Sequence, residues 1–265
     1  MPRIGVSTAC LYPMPTERAL LTLAEQGVTL TEIFFNSESE LGGPVMRELR
    51  HIQRHYGIEV AAIHPFTSSY EPYLLFSEYL RRFEDGLVLY ERYLAAAAEL
   101  GAQFVVLHGM KANGVPIEEY ARRLMRLNEI GQRYGVTVTQ ENCSNFQSGR
   151  PEFIRALRHH TDDAVRFTLD MKQVRRAGGT LHDMLDTMGG RVVHCHISDG
   201  GTHDCMLPGQ GDGSFPPLYD ALCDQGYTGG YVIEVYREAF DGPAELGRCA
   251  QQLKDILTNC PIINM

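Results

Sequence analysis

The sequence predicts a (β/α)8 barrel. Apolar or β-branched runs of strand length recur eight times, an amphipathic stretch of helix length follows each, and glycine closes many of those stretches before the next run. A doubly wound open sheet would need a Gly-rich first turn to take a dinucleotide. The first turn here reads Ser-Thr-Ala-Cys-Leu-Tyr-Pro, so the closed barrel is preferred.

The strand runs fall at about 3–8, 29–35, 58–64, 103–108, 136–141, 165–170, 192–197 and 230–235. Helical periodicity places the intervening segments near 16–26, 44–56, 73–100, 116–134, 151–160, 180–188 and 215–225, with a last one near 243–257. The stop signals are Gly27, Gly57, Gly101, Gly135 and Gly226, each ending one helix just before the next strand. The aromatic and alanine-rich stretch 73–100 reads as a packing face. No low-complexity linker interrupts the alternation, so residues 1–265 are expected to form one barrel domain.

Composition narrows the function. The 265 residues are 44 % hydrophobic and 22 % charged, enough to pack a core. A net charge of -9 argues against a general nucleic-acid binder, which usually carries a basic face. No apolar run approaches the roughly 20 residues that cross a bilayer, and the N-terminus enters a strand at once. Seven cysteines without C-x-x-C spacing read as reduced thiols, which implies a cytoplasmic protein. Homo-oligomers through barrel helices are compatible with this composition, but the sequence does not specify them.

The chemistry gathers at strand ends. Glu141 closes V-T-V-T-Q-E, Asp170 closes V-R-F-T-L-D, His196 closes V-V-H-C-H, and Glu234 closes Y-V-I-E. Side chains alternate along a strand, so Thr137, Thr139 and Glu141 share the inner face, as do Arg166, Thr168 and Asp170. By the same alternation His64 joins Val60 and Ala62, His108 joins Phe104 and Val106, and Glu32 points inward with a structural hydrogen bond as its expected role. His194, one pleat below His196, is expected in the barrel interior. Three carboxylates in a ring repel one another, and a divalent ion among Glu141, Asp170, His196 and Glu234 removes that cost.

These motifs resemble one family across nearly the whole chain. A-A-I-H-P at His64, V-V-L-H-G at His108, T-Q-E-N at Glu141, T-L-D at Asp170, H-C-H-I-S-D at His196, L-P-G-Q-G-D-G-S-F from Leu207 and Y-V-I-E-V at Glu234 look like the xylose-isomerase-like barrel superfamily. That group holds sugar and sugar-phosphate isomerases and epimerases, inosose dehydratases and apurinic endonucleases. The resemblance implies one Mn, Mg, Co or Zn ion held by Glu141, Asp170, His196 and Glu234. It further implies that Glu141 and Glu234 move a proton at the carbon beside a carbonyl, through a metal-stabilised cis-enediolate. His64 and His108 are then substrate-orienting, and the substrate is a small sugar, keto-sugar or sugar phosphate.

The sequence departs from the family pattern at Asp170-Met171-Lys172-Gln173, where many members have Asp-x-x-His, and at His203-Asp204-Cys205, where the endonucleases have Asp-x-His. Both departures argue against a trinuclear zinc phosphodiesterase. An inosose-type dehydratase remains the main alternative, since it uses the same metal and proton abstraction. Gln173 and Lys172 are carried as substrate-site candidates, Lys172 as a positive charge or as an exposed helix-start lysine. Arg237 is read as an anion clamp or as a surface partner of Glu238 or Asp241. Residues 209–213 are expected to fold over the barrel mouth, with His203 a substrate contact.

Overall fold

The computed structural model describes residues 1–258, and residues 259–265 of the expected domain lie outside them. Eight parallel strands close into a barrel in sequence order: β1 (Ile4–Ser7), β2 (Leu30–Phe35), β3 (Glu59–Pro65), β4 (Phe104–Leu107), β5 (Thr137–Glu141), β6 (Arg166–Asp170), β7 (Val192–Ile197) and β8 (Tyr231–Ile233). Closure is made by β8 against β1, with Ile4 opposite Tyr231 and Val6 opposite Ile233.

Among the described residues, ten α-helices lie between and after the strands: α1 (Thr16–Glu25), α2 (Gly43–Tyr56), α3 (Glu71–Leu74), α4 (Leu80–Leu100), α5 (Ile117–Gln132), α6 (Pro151–His160), α7 (Met171–Arg176), α8 (Leu181–Met188), α9 (Phe215–Asp224) and α10 (Pro243–Thr258). Alternate strand residues such as Val105, Val138, Phe167 and Leu169 join helix residues such as Leu94, Leu124 and Leu157 in one hydrophobic cluster. The period-2 pattern of the strands and the helical stripe thus meet in a single apolar shell. Among the described residues no helix is long and apolar enough to cross a membrane.

Three local features differ from the sequence reading. The stretch 73–100 is not one helix, because α3 and α4 are separated. At the break, Arg123 of α5 donates from Nη1 to the carbonyls of Leu75 (2.7 Å) and Ser77 (2.8 Å), which a continuous helix would use internally. Secondly, α7 follows β6 at once, capped by Asp170, whose carboxylate accepts from the Gln173 backbone N–H at 2.9 Å. Thirdly, Val60 does not share a face with His64. The β2–β3 register slips between Thr31 and Glu32, leaving Ala61 as an extra residue, and Val60 joins Ile63 in the outer apolar cluster. A second slip between Phe167 and Thr168 similarly resets β7 at Val193.

Candidate active site

The site forms where the strands end, the face at which barrel loops gather. Tertiary packing brings Glu141, Asp170, His196 and Glu234 together around one imidazole nitrogen. His196 Nδ1 lies 3.9 Å from Glu141 Oε1, 3.6 Å from Asp170 Oδ2 and 3.5 Å from Glu234 Oε2. Lys172 Nζ approaches from the same side, 3.3 Å from Glu234 Oε2 and 3.6 Å from Asp170 Oδ2. Far from being an exposed helix-start residue, Lys172 is only 4 % exposed.

His196 Nδ1, Glu141 Oε2 and Asp170 Oδ2 are buried and lack hydrogen-bond partners. Buried polar atoms are rarely left so, and their convergence is what a cation would satisfy. Donor atoms of Glu141, Asp170 and His196 lie within 4.8 Å of one another, and those of Glu32, His64, His196 and Glu234 form a second such group, while His64, His108 and Glu141 form a third. The residues therefore fit a divalent ion, with mixed carboxylate and imidazole donors suited to Mn, Mg, Co or Zn.

The electrostatics are those of a compact, mutually compensating cluster. Burial opposes the charge of Glu141, yet His108 and His196 outweigh it and hold the carboxyl down at about 2. Burial likewise opposes ionisation of Glu234, but His196 and Lys172 keep it well below the usual carboxylate range. His64, whose burial favours the neutral ring, is pushed up to about 10 by Glu234 and Glu32. Burial would also neutralise Lys172, but Asp170 and Glu234 raise it well above its ordinary value. Imidazolium and ammonium groups thus balance the carboxylates in the chain alone.

Above the cluster opens a cavity of about 490 Å³. His64, His108, Glu141, Lys172, Gln173 and Glu234 line it, together with Asn36, Tyr12, Phe34, Phe66 and Tyr236. Gln173 is held by Ser144, which donates to its Oε1 from the backbone N–H (3.0 Å) and from Oγ (2.8 Å). His108 Nε2 faces Glu141 Oε2 at 3.2 Å and His64 Nε2 at 3.1 Å.

Two predicted site residues are not brought in. The Arg237 guanidinium donates to the carbonyls of Phe240 (2.7 Å) and Asp241 (3.2 Å) and does not line the cavity. His203 lines a separate cleft with Arg176 and Asp204. The glycine-rich run at 209–213 also stays off the cavity. It wraps the buried Asp199 carboxylate, which accepts backbone N–H bonds from Gly200 (2.8 Å), Gly209 (3.0 Å), Gly211 (3.0 Å) and Gly213 (2.8 Å).

Sequence reasoning missed Glu71 and underrated Glu32. Glu71 is buried on α3, accepts from Tyr90 Oη (2.8 Å) and Gly109 N–H (2.6 Å), and lies 3.6 Å from His108 Nδ1. Gly109 must be glycine here, with φ +98° and a Cβ position that would strike the Tyr120 hydroxyl. Nothing in the sequence around Glu71 signals its role. Glu32 was legible by strand parity alone, but not its partners.

The sequence pattern of the family described as "Xylose isomerase-like TIM barrel" matches residues 20–256. The chain belongs to that family. Among its relatives, an uncharacterized protein of Mycobacterium tuberculosis (strain ATCC 25618 / H37Rv) is 25 % identical over 256 residues, 88 % of each chain. Fructoselysine 3-epimerase of Escherichia coli O157:H7 is 22 % identical over 267 residues, covering 94 % of this chain and 95 % of that one. Among solved structures of the fold, a D-tagatose 3-epimerase-like protein superposes with a TM-score of 0.78 at 20 % identity, covering 97 % of both chains. An L-ribulose 3-epimerase gives 0.78 at 18 % identity, covering 98 % of this chain and 96 % of that one.

Proposed function

We propose that this chain is a divalent-metal-dependent isomerase or epimerase of a small sugar, keto-sugar or sugar phosphate, with Glu141 and Glu234 as the proton-transfer pair. The observation that carries the reading is the pair of ionised carboxylates at the cavity floor, packed against buried, unpartnered donor atoms on His196, Glu141 and Asp170. The names of the related epimerases agree with it. A cavity of about 490 Å³ lies within the range that takes small molecules.

When bound, the ion supplies Lewis-acid stabilisation of the oxygen charge that develops beside the reacting carbon. Glu141, Asp170, His196 and Glu234 are its proposed ligands. A hydrogen beside a carbonyl is a weak acid, so its removal needs a base held in contact and already ionised. Glu141 and Glu234 are both ionised at neutral pH, the state a proton acceptor requires. One takes the proton, leaving an enediolate; the other must first gain a proton from a substrate hydroxyl or solvent, and then delivers it to the carbon. His64 and His108 orient hydroxyls from the β3 and β4 side, while Lys172 and Gln173 contact substrate oxygens from the β6 side. The ring faces of Tyr12, Phe34, Phe66 and Tyr236 cover the apolar carbon–hydrogen surface of the sugar and exclude water. Arg237 and His203 have no part in this proposal.

Incubation of metal-loaded protein with a panel of ketoses in deuterated water tests it. Deuterium should enter at the carbon beside the carbonyl, and Glu141→Gln or Glu234→Gln should slow that entry by ~10²–10⁴-fold. Loss of water from the product would instead assign a dehydratase. No exchange across the panel, or exchange indifferent to both substitutions, would overturn the reading.

A further inference from the structure

Beneath the cavity floor, Glu32 of β2 is 0 % exposed and has none of the roles described so far. A barrel interior at this depth is ordinarily filled by Val, Ile or Leu. A buried carboxylate is costly unless its acceptor positions are filled. Here they are. Glu32 Oε1 meets His64 Nδ1 at 3.2 Å and Ser7 Oγ at 3.4 Å, while Oε2 meets His194 Nε2 at 2.8 Å and His196 Nε2 at 3.0 Å. The side chain reaches across the interior, since β2 and β7 are not neighbours in the sheet.

A carboxylate oxygen accepts, and a hydroxyl or imidazole N–H donates, so these four contacts are met when all four partners donate to Glu32. That fixes protons. His196 meets Glu32 through Nε2, which turns its Nδ1 toward Glu141, Asp170 and Glu234, where that nitrogen would be free to ligate a bound ion. His64 carries hydrogen on Nδ1, which leaves Nε2 for His108 and Glu141. Glu32 belongs to a group of donor atoms compact enough to be read as a metal site. With both oxygens already engaged, it could ligate only by giving up the contacts that hold the rings.

We propose that Glu32 is the positioning residue of this site: an anchoring carboxylate, not a ligand, that sets the ring orientation and protonated nitrogen of His196 and His64. The proposal rests on the metal-site reading above. Such outer partners of metal-bound histidines typically contribute 10–100-fold (approximately) to metal affinity.

The test uses the full chain labelled with ¹⁵N-histidine, with His196 assigned by comparison with His196→Gln. In the wild type, the Nε2–H of His196 should be present without metal and persist after loading with magnesium or zinc. Disappearance of that proton on loading, showing Nε2 to be the ligating nitrogen, would overturn the proposal. In parallel, Glu32→Gln keeps the shape but offers one acceptor oxygen, and should weaken manganese binding ~10–100-fold by calorimetry. Glu32→Asp should recover part of that loss. Undiminished manganese affinity in Glu32→Gln would also overturn it. If Glu32→Gln does not fold, the wild-type spectra decide alone. If the wild type takes up no divalent ion, the metal reading fails, whereas the Nε2 proton in the metal-free protein still decides the role of Glu32.

Discussion

The two walls of the barrel mouth are built differently. Strand β3 and the residue after β4 contribute imidazoles, His64 and His108, with carboxylates behind them: Glu32 against His64 at 3.2 Å and Glu71 near His108 at 3.6 Å. Strands β5, β6 and β8 contribute carboxylates, set around the inward nitrogen of His196 on β7. On the first wall, both ring nitrogens of His64 have partners. On the second, Glu141 Oε2 and Asp170 Oδ2 are buried without a hydrogen bond, although His108 Nε2 stands 3.2 Å from the first and Lys172 Nζ 3.6 Å from the second. The first wall presents imidazoles suited to orienting a polar ligand, although His108 Nδ1 is itself without a hydrogen bond, whereas the second gathers the carboxylates that a bound divalent ion would draw on in place of Lys172 and the imidazolium groups.

Replacing one residue on each wall sharpens that comparison most. Asp170→Asn is expected to weaken manganese binding by ~100-fold or more, while His108→Asn leaves it within about threefold and lowers kcat/KM for the exchanging ketose by ~10²-fold. Equal effects of the two on metal affinity, measured by calorimetry, would erase the division between the walls.

Next in size is removal of the ion itself. If the carboxylate wall binds it in the folded state only, saturation at 100 times Kd should add about 2.7 kcal/mol of stability, lost on chelation with EDTA and restored by manganese. Denaturant titration with and without chelator reads this directly. A stability unchanged by chelation would mean that the second wall is balanced by Lys172 and the imidazolium charges alone.

A smaller effect is expected away from both walls. Asp199→Ala leaves the backbone N–H groups of Gly200, Gly209, Gly211 and Gly213 without their acceptor and should cost about 1–3 kcal/mol. Because that loop does not line the cavity, manganese affinity should stay close to wild type. A large loss of affinity would bring the loop into the site after all.

The smallest effect concerns an ion pair on the outer shell. Glu119 is held at about 2 chiefly by Arg122, against a modest burial cost and with help from Arg123. A depressed carboxyl stabilises the fold fully above its unfolded value near 4.5 and loses that contribution as pH falls through about 2. The stability difference between wild type and Glu119→Gln should therefore be below about 1 kcal/mol and constant above pH ~4.5, then shrink toward zero. A difference that grows on acidification would contradict this assignment.

Period-2 and helical patterns, with glycine at the helix ends, made the eightfold alternation readable, because each strand and helix must bury its own apolar face whatever surrounds it. The same parity sent Glu141, Asp170, His196 and Glu234 inward, and the structure gathers their side chains around His196 Nδ1. It failed at Val60, where the extra residue Ala61 reset the alternation, and at 73–100, where a guanidinium from α5 took the carbonyls a helix needs. Arg237 and His203 lay close in sequence to site residues, but backbone carbonyls and a separate cleft claimed them.

The sequence alone determined the barrel, the strand ends that carry the chemistry and the residue types gathered there. Tertiary structure decided that Glu32 spans from β2 to the histidines of β7, that Glu71 sits behind His108, and that Lys172 turns inward to Asp170 and Glu234. Patterning is local and records which face of an element is apolar. Which charged groups meet inside a closed barrel depends on closure, shear and register between strands far apart in the chain, and these act only when the sheet is complete.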